Sequence, residues 1–131
     1  NEELSKRKEM KKLIAQFRKM YKDMDHNIFK ALDNLKNEFV KSGKADMYKE
    51  ELEYLYIEHL LRDTSFRILP YIDNPNVLDV SHKIVDTMKY NYPNYKKNIY
   101  FKNHKFKYRF VTNLLYQNKI KLLKYTAKGV K

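Results

Sequence analysis

Apolar residues recur at intervals of three and four along most of this chain, and this spacing restricts its fold more than any other feature. The first series runs from Met10 through Phe17 and Ile28 to Phe39. Such intervals place side chains on one face of an α-helix, whereas strands alternate every second residue. Two glycines and three prolines leave few sites for tight hairpins. The sequence therefore predicts an all-α fold, an irregular bundle of five or six helices with no significant sheet.

Capping and helix-breaking residues divide the first half of the chain. Residues 23–27 (DMDHN) interrupt the first apolar series with capping residues. This interruption predicts two helices, about residues 3–23 and 26–41, rather than one long rod. The second should end at Gly43, because glycine suits the left-handed position after a helix.

Further breaks divide the second half. A central helix should start near Asp46 and end before Pro70, since the residue preceding a proline disfavours helical angles. Asn74 and Pro75 predict the start of another helix, which ends near Asn91. The aromatic and asparagine-rich residues 92–104 predict an ordered connection, and a last helix follows from Phe106, with a break near Asn118. The predicted buried stripe of the central helix is Tyr48, Leu52, Leu55, Tyr56, His59, Leu60 and Phe66.

Length and composition suit one domain with its own core, since 43% of the 131 residues are hydrophobic. Within this single domain, residues 1–131, we predict an N-terminal helix, residues 1–24, whose packing the sequence leaves open. A neutral helical body, residues 25–91, and a basic aromatic C-terminal region, residues 92–131, follow. The chain begins with neither Met nor an apolar signal stretch, and we expect a soluble fragment of a longer enzyme.

Charge is strongly segregated along the chain. Residues 1–86 contain 16 basic and 16 acidic side chains, whereas residues 87–131 contain 12 basic and none that is acidic. A cationic end on a neutral body predicts an anionic partner: a membrane surface, a nucleic acid or an acidic surface of another domain. The residues predicted to form this anion-binding surface are Lys96, Lys97, Lys102, Lys105, Lys107, Arg109, Lys119, Lys121 and Lys124.

Aromatic residues alternate with the cations in this region, and two interpretations are open. In the first, the rings settle at the depth of lipid headgroups while the cations meet anionic lipid. In the second, the rings pack into the domain and the lysines are only solvated; both can hold together. The aromatic residues concerned are Tyr90, Tyr92, Tyr95, Tyr100, Phe101, Phe106, Tyr108, Phe110, Tyr116 and Tyr125.

Residue patterns that could carry chemistry have simpler structural explanations. The Asp-Met-Asp sequence at 23–25 resembles a metal-binding pair, but it lies between two helices, where capping is the better interpretation. None of His26, His59, His82 and His104 has metal-ligand spacing. The sequence therefore predicts no catalytic, cofactor-binding or metal-binding residue in this segment.

The central helix contains one candidate acid–base pair. His59 could act with Glu58 or Glu53, but its place on the apolar stripe favours a buried or half-buried structural histidine. The carboxylates of residues 50–58 are predicted to form a solvated face. Arg62 and Arg67 should interact with the helix dipole or pair with those acids. The acids of the predicted solvated face are Glu50, Glu51, Glu53 and Glu58.

Three stretches carry a familiar pattern in this order: residues 48–61 (YKEELEYLYIEHLL) followed by Arg67, residues 92–102 (YPNYKKNIYFK), and a closing helix rich in Lys, Tyr and Leu. The pattern resembles the C-terminal helical region of bacterial family 2 glycosyltransferases. Residues 28–35 (IFKALDNL) also fit. The resemblance thus covers about residues 25–127 and leaves the first 24 residues unmatched.

The resemblance implies a non-catalytic accessory domain behind an upstream catalytic domain. The parent enzyme would use Mg²⁺ or Mn²⁺ with a nucleotide-sugar donor to build capsule, exopolysaccharide or wall polymer. It would act in the cytoplasm, peripherally at the inner face of the membrane, and this segment alone would be inactive. Two alternatives remain open: a basic helical nucleic-acid-binding module, and a protein-interaction bundle that forms a homodimer through the apolar stripe of the first helices.

Overall fold

The computed structural model describes residues 2–119 and 122–123. It is 79% helical, and no strand occurs among those residues, which confirms the all-α irregular bundle. When consecutive helical runs are taken together, the described residues form six helices, five of them seven or more residues long. Of the five or six helices predicted, the described residues thus form six.

The helical elements in chain order are α1 Glu2–Asp23, α2 Ile28–Lys41, α3 Lys49–Leu55, a π-helix Tyr56–Thr64, α4 Ser65–Ile68, α5 Pro75–Asn91, α6 Ile99–Lys102 and α7 Phe106–Tyr116. Two 3₁₀ turns add Leu69–Tyr71 and Tyr95–Lys97. The chain divides into two compact units, Asn1–Leu55 and Tyr56–Lys131. This division neither confirms nor contradicts the predicted single domain with three regions, which stays a prediction.

In the first unit, α1 packs against α2 and α3. The break between α1 and α2 follows from Asp25 and His26, which both adopt left-handed backbone angles, φ 54° and 60°. Asn27 then caps α2, because its side chain accepts a hydrogen bond from the Lys30 backbone nitrogen at 3.1 Å. Two helices rather than one rod are confirmed. The apolar core of this unit is Met10, Leu13, Phe17, Ala31, Leu32, Leu35, Phe39, Leu52, Tyr54 and Leu55.

In the second unit the π-helix is the central element, and α4, α5 and α7 all pack against it. Its buried residues occur as two adjacent pairs, Tyr56 with Ile57 and Leu60 with Leu61. The wider turn of a π-helix, with hydrogen bonds from residue i to i+5, broadens the face that such pairs can bury. This burial fixes the position of α7, which carries part of the basic region.

The central helix differs from its predicted bounds and contains a π-helix that the sequence did not predict. The helix begins at Lys49 rather than at Asp46, becomes a π-helix at Tyr56, and continues as a 3₁₀ turn past Pro70. Proline is tolerated there because it occupies the first turn of that element, where its missing N–H has no partner to lose. Phe66, predicted to be buried, is 36% exposed.

The carboxylates of the central helix do not form the solvated face that the sequence predicts. Glu51 is buried, with 7% of its surface exposed. Glu50, Glu53 and Glu58 are each half-buried. A helix that packs on more than one side covers part of its polar surface as well, and the stripe pattern alone does not reveal this.

The connection at residues 92–104 is ordered, as predicted. Asn98 is buried, and its side-chain oxygen accepts hydrogen bonds from the backbone nitrogens of Tyr100 and Phe101, at 3.0 and 3.2 Å. These two bonds cap α6. The Tyr95 ring packs against Phe101 with ring centroids 5.3 Å apart, and its hydroxyl donates a hydrogen bond to the side-chain oxygen of Asn113. The connection therefore belongs to the core of the second unit.

Replacement of Asn98 by alanine should lower the free energy of unfolding by about 1–2 kcal/mol, because two backbone donors lose their acceptor in a buried place. Chemical denaturation followed by circular dichroism measures this change. Asn94→Ala is the matched control, since Asn94 precedes the Tyr95–Lys97 turn without a side-chain cap. The control should change stability by less than about 0.5 kcal/mol. Equal effects of the two substitutions would contradict the capping role of Asn98.

Candidate functional site

The π-helix carries a polar group of three side chains, His59, Arg62 and Asp63, on its less buried side. One oxygen of Asp63, Oδ2, lies 3.6 Å from Nδ1 of His59, and the other, Oδ1, lies 3.0 Å from a guanidinium nitrogen of Arg62. The Thr64 hydroxyl also donates to the His59 carbonyl oxygen at 2.7 Å. Both oxygens of Asp63 are thus engaged within the helix itself.

Aromatic rings from two later segments complete this group. The guanidinium carbon of Arg62 lies 4.5 Å from the centre of the Tyr108 ring and 5.6 Å from that of Phe66. The His104 ring stacks on Tyr108, with centroids 3.8 Å apart and planes 12° apart. We call His59, Arg62, Asp63, His104 and Tyr108 the arginine cluster. It ties the π-helix to α7 and to the turn before α7, since cation–π contacts contribute about 0.5–2 kcal/mol each.

The arginine cluster shifts the pKa of two of its members. Burial tends to raise the pKa of Asp63, but the interaction with the nearby His59 ring and the positive charges of Arg62 and Arg67 outweigh it, and the net pKa is lowered. Burial lowers the pKa of His104; Glu58 opposes this shift and Arg62 adds to it. The structure thus favours an ionised Asp63 and a neutral His104.

The sequence predictions for this region are only partly correct. His59 is half-buried, as predicted, but its acidic neighbour is Asp63 rather than Glu58 or Glu53. Arg62 likewise pairs with Asp63. The sequence did contain a signal for the contact between His59 and Asp63, because the two residues are four positions apart on a helix. Nothing in the sequence indicated that Tyr108 and His104 would join them.

Four of the predicted anion-binding cations lie around the junction of α6 and α7. Lys102 ends α6, Lys105 precedes the first residue of α7, and Lys107 and Arg109 occupy its first turn. We call these four residues the basic corner. The three lysines are exposed, whereas Arg109 is half-buried and its covered Nε has no hydrogen-bond partner in the described part of the chain. All four lie between residues 102 and 109, so these charges are close together in the sequence around one helix junction.

The other predicted cations are less concentrated. Lys96 and Lys97 are exposed on the 3₁₀ turn that packs against α6. Lys119 is exposed beyond the far end of α7, and 11 helical residues separate the two ends by about 16 Å. Lys121 and Lys124 lie outside the described residues. The basic corner is therefore the densest described part of the predicted surface.

The aromatic residues of the C-terminal region divide between the two interpretations left open by the sequence. Tyr95 and Phe101 are buried in the core of the second unit. Phe106, Phe110 and Tyr90 are exposed, with 73%, 45% and 88% of their surfaces accessible. The half-buried rings are Tyr92, Tyr100, Tyr108 and Tyr116, and Tyr125 lies outside the described residues.

Comparison with known proteins found no matching family model, no matching curated protein and no matching solved structure. In the described part of the chain, no three histidine or acidic side chains come together in a group that could hold a metal ion. None of the described helices combines the length and the apolar character needed to cross a bilayer. The basic corner and its neighbouring aromatic rings remain the feature that the geometry singles out.

The stability of the protein should fall as the pH is lowered through about 6.5, and His104 should contribute to this loss. Its ordinary pKa is 6.5 and its folded pKa is lower, so the unfolded chain binds more protons in this window. His104→Gln should therefore make stability less dependent on pH between neutral and mildly acidic conditions. Urea denaturation under neutral and under mildly acidic conditions measures this pH dependence. His82→Gln is the control, because His82 is an exposed histidine on α5. An unchanged pH dependence in the His104 variant would contradict the assignment.

Proposed function

We propose that this chain is the non-catalytic C-terminal accessory domain of a glycosyltransferase, and that its basic C-terminal region docks the enzyme on the anionic inner face of the membrane. The parent enzyme would transfer sugar from a nucleotide-sugar donor, with Mg²⁺ or Mn²⁺ held in its upstream catalytic domain. The acceptor would be a growing capsule, exopolysaccharide or wall polymer. The transferase part of the proposal rests on the sequence resemblance over residues 25–127.

One observation carries the docking part: residues 87–131 contain 12 cations and no carboxylate. Three exposed lysines concentrate at the basic corner. Each basic side chain near an anionic bilayer surface contributes about 1 kcal/mol to binding. Several cations at one helix junction therefore supply a useful affinity without a deep pocket.

The arginine cluster supports this proposal indirectly. It fixes the turn at His104 against the π-helix through Tyr108 and Arg62. The basic corner is built on that turn and on the first residues of α7. Because the ionic groups of Arg62 and Asp63 are engaged with each other, we assign the cluster a structural role and assign binding to the exposed lysines.

Charge reversal at the basic corner should strongly weaken membrane binding. The chain should bind vesicles that contain phosphatidylglycerol at physiological salt and leave pure phosphatidylcholine vesicles unbound. Lys102→Glu, Lys105→Glu and Lys107→Glu together should weaken binding on the order of 100-fold. Vesicle co-sedimentation measures the change. The matched control reverses three exposed α1 lysines, Lys8, Lys11 and Lys19, and should retain most of the binding.

Two results would contradict the docking proposal. Equal losses of vesicle affinity in the two triple variants would mean that binding depends only on the net charge of the protein and not on the basic corner. Strong binding to single-stranded oligonucleotides, with steep salt dependence and no vesicle binding, would favour the nucleic-acid alternative.

The transferase assignment is tested by the coding sequence upstream of Asn1. We expect it to encode an α/β domain with nucleotide-binding strands and acidic metal ligands, because the resembling enzymes place their catalytic domain there. Sequencing of the transcript that contains this region gives the answer. An upstream region without such a domain would contradict the assignment but would leave the docking proposal open to its own test.

A further inference from the structure

An exposed pair of aromatic rings lies beside the basic corner. Phe106 and Phe110 are one helical turn apart on α7, and their rings stack with centroids 6.0 Å apart and planes at 24°. They are 73% and 45% exposed. Two adjacent phenyl rings in water leave a large apolar surface unburied, which marks interaction sites more often than a single exposed ring does.

The buried side of α7 explains why these rings face outward. Thr112, Leu114 and Leu115 are buried, and α7 packs against the π-helix and α5. The first and fifth residues of α7 lie on one side of the helix because they are four positions apart. Thr112 and Leu115 lie on the opposite, buried side, and Leu114, one turn beyond Phe110, is covered near the end of the helix. The first part of α7 therefore leaves Phe106 and Phe110 together at the surface.

The charges around the pair point to its partner. Lys105 and Lys107 flank Phe106 in sequence, and both are exposed. No carboxylate occurs between residues 87 and 131 to neutralise them. A pair of exposed rings flanked in sequence by cations fits a surface that is anionic at its rim and apolar beneath. The interface of an anionic bilayer has this layered chemistry.

We propose that Phe106 and Phe110 insert below the headgroups of an anionic phospholipid bilayer while Lys105 and Lys107 remain at headgroup level. This inference rests on the proposed docking function and names the side chains that enter the membrane. A second copy of the chain is disfavoured as the occupant, because apposed basic corners would repel each other. Insertion adds an apolar contribution, so binding resists salt better than lysine contacts alone would allow.

Fluorescence of a single introduced tryptophan tests insertion, because the chain contains no tryptophan of its own. In the full chain, Phe106→Trp should shift its emission to shorter wavelength on phosphatidylglycerol-containing vesicles. Lipids brominated on their acyl chains should quench it. Tyr90→Trp is the matched control: Tyr90 is an exposed aromatic residue on α5, and its replacement should show neither change.

The contribution of the two phenyl rings to vesicle affinity is tested by variants that lack the rings and keep the lysines. Phe106→Ser with Phe110→Ser should weaken vesicle binding about tenfold or more, since partial burial of two phenyl groups is lost. Phe106→Leu with Phe110→Leu should retain most of the affinity. Both variants should keep the wild-type circular dichroism spectrum, because the replaced rings are largely exposed.

Several outcomes would overturn the inference. Vesicle binding without a shift or quenching of the tryptophan at position 106 would mean surface attachment through the lysines alone, and the docking proposal would then survive. Absence of any binding to anionic vesicles would overturn both. A dimer seen by sedimentation equilibrium and lost in the double serine variant would assign the pair to self-association. A spectral shift with oligonucleotides but not with vesicles would assign it to base stacking.

Discussion

Burial of the π-helix is the constraint on which the second unit depends. Tyr56, Ile57, Leu60 and Leu61 are all nearly inaccessible to solvent. Elements α4, α5 and α7 gather around this segment. A π-helix has poorer hydrogen-bond geometry than an α-helix and is rare, so its packing contacts must compensate for it. Full burial of each large apolar side chain contributes about 1.5–3 kcal/mol.

The same packing produces the two sides of α7. One side is held by the core through Thr112 and Leu115, and the other presents Phe106, Lys107 and Phe110 to solvent in the first half of the helix. The arginine cluster adds a polar tie at the start of this helix, through contacts of Tyr108 with Arg62 and His104. A rigid corner with exposed cations and rings loses little conformational entropy when it meets a surface. This link between core packing and surface presentation is the physical basis of the docking proposal.

The sequence predicted features that depend on local chemistry. The cap at Asn74, the left-handed Gly43 and the break at Asn118 follow from short-range preferences, and all occur as expected. The predicted interruption at residues 23–27 also occurs, with Asn27 as the cap of α2. The charge segregation is likewise a property of the sequence itself. Local rules did not predict the π-helix, because its hydrogen-bond pattern depends on tertiary packing of Tyr56–Thr64.

The candidate site was predictable in outline only. The cationic residues could be named, but the sequence did not show that the three lysines at the α6–α7 junction are exposed while Arg109 is half-buried. The contact between Arg62 and Tyr108 joins residues far apart in the sequence, so only the fold reveals it. Periodicity placed Phe106 and Phe110 on the apolar series of the last helix. Periodicity did not show that the core of the second unit leaves Phe106 and Phe110 exposed.

Depth measurement by electron paramagnetic resonance tests the central claim most directly. The chain has no cysteine, so a single introduced cysteine carries one nitroxide label. On anionic vesicles, a label at position 106 should become accessible to oxygen and shielded from a water-soluble relaxation agent, whereas a label at position 11 on α1 should remain in water. Equal water exposure of the two labels on bound protein would contradict the account.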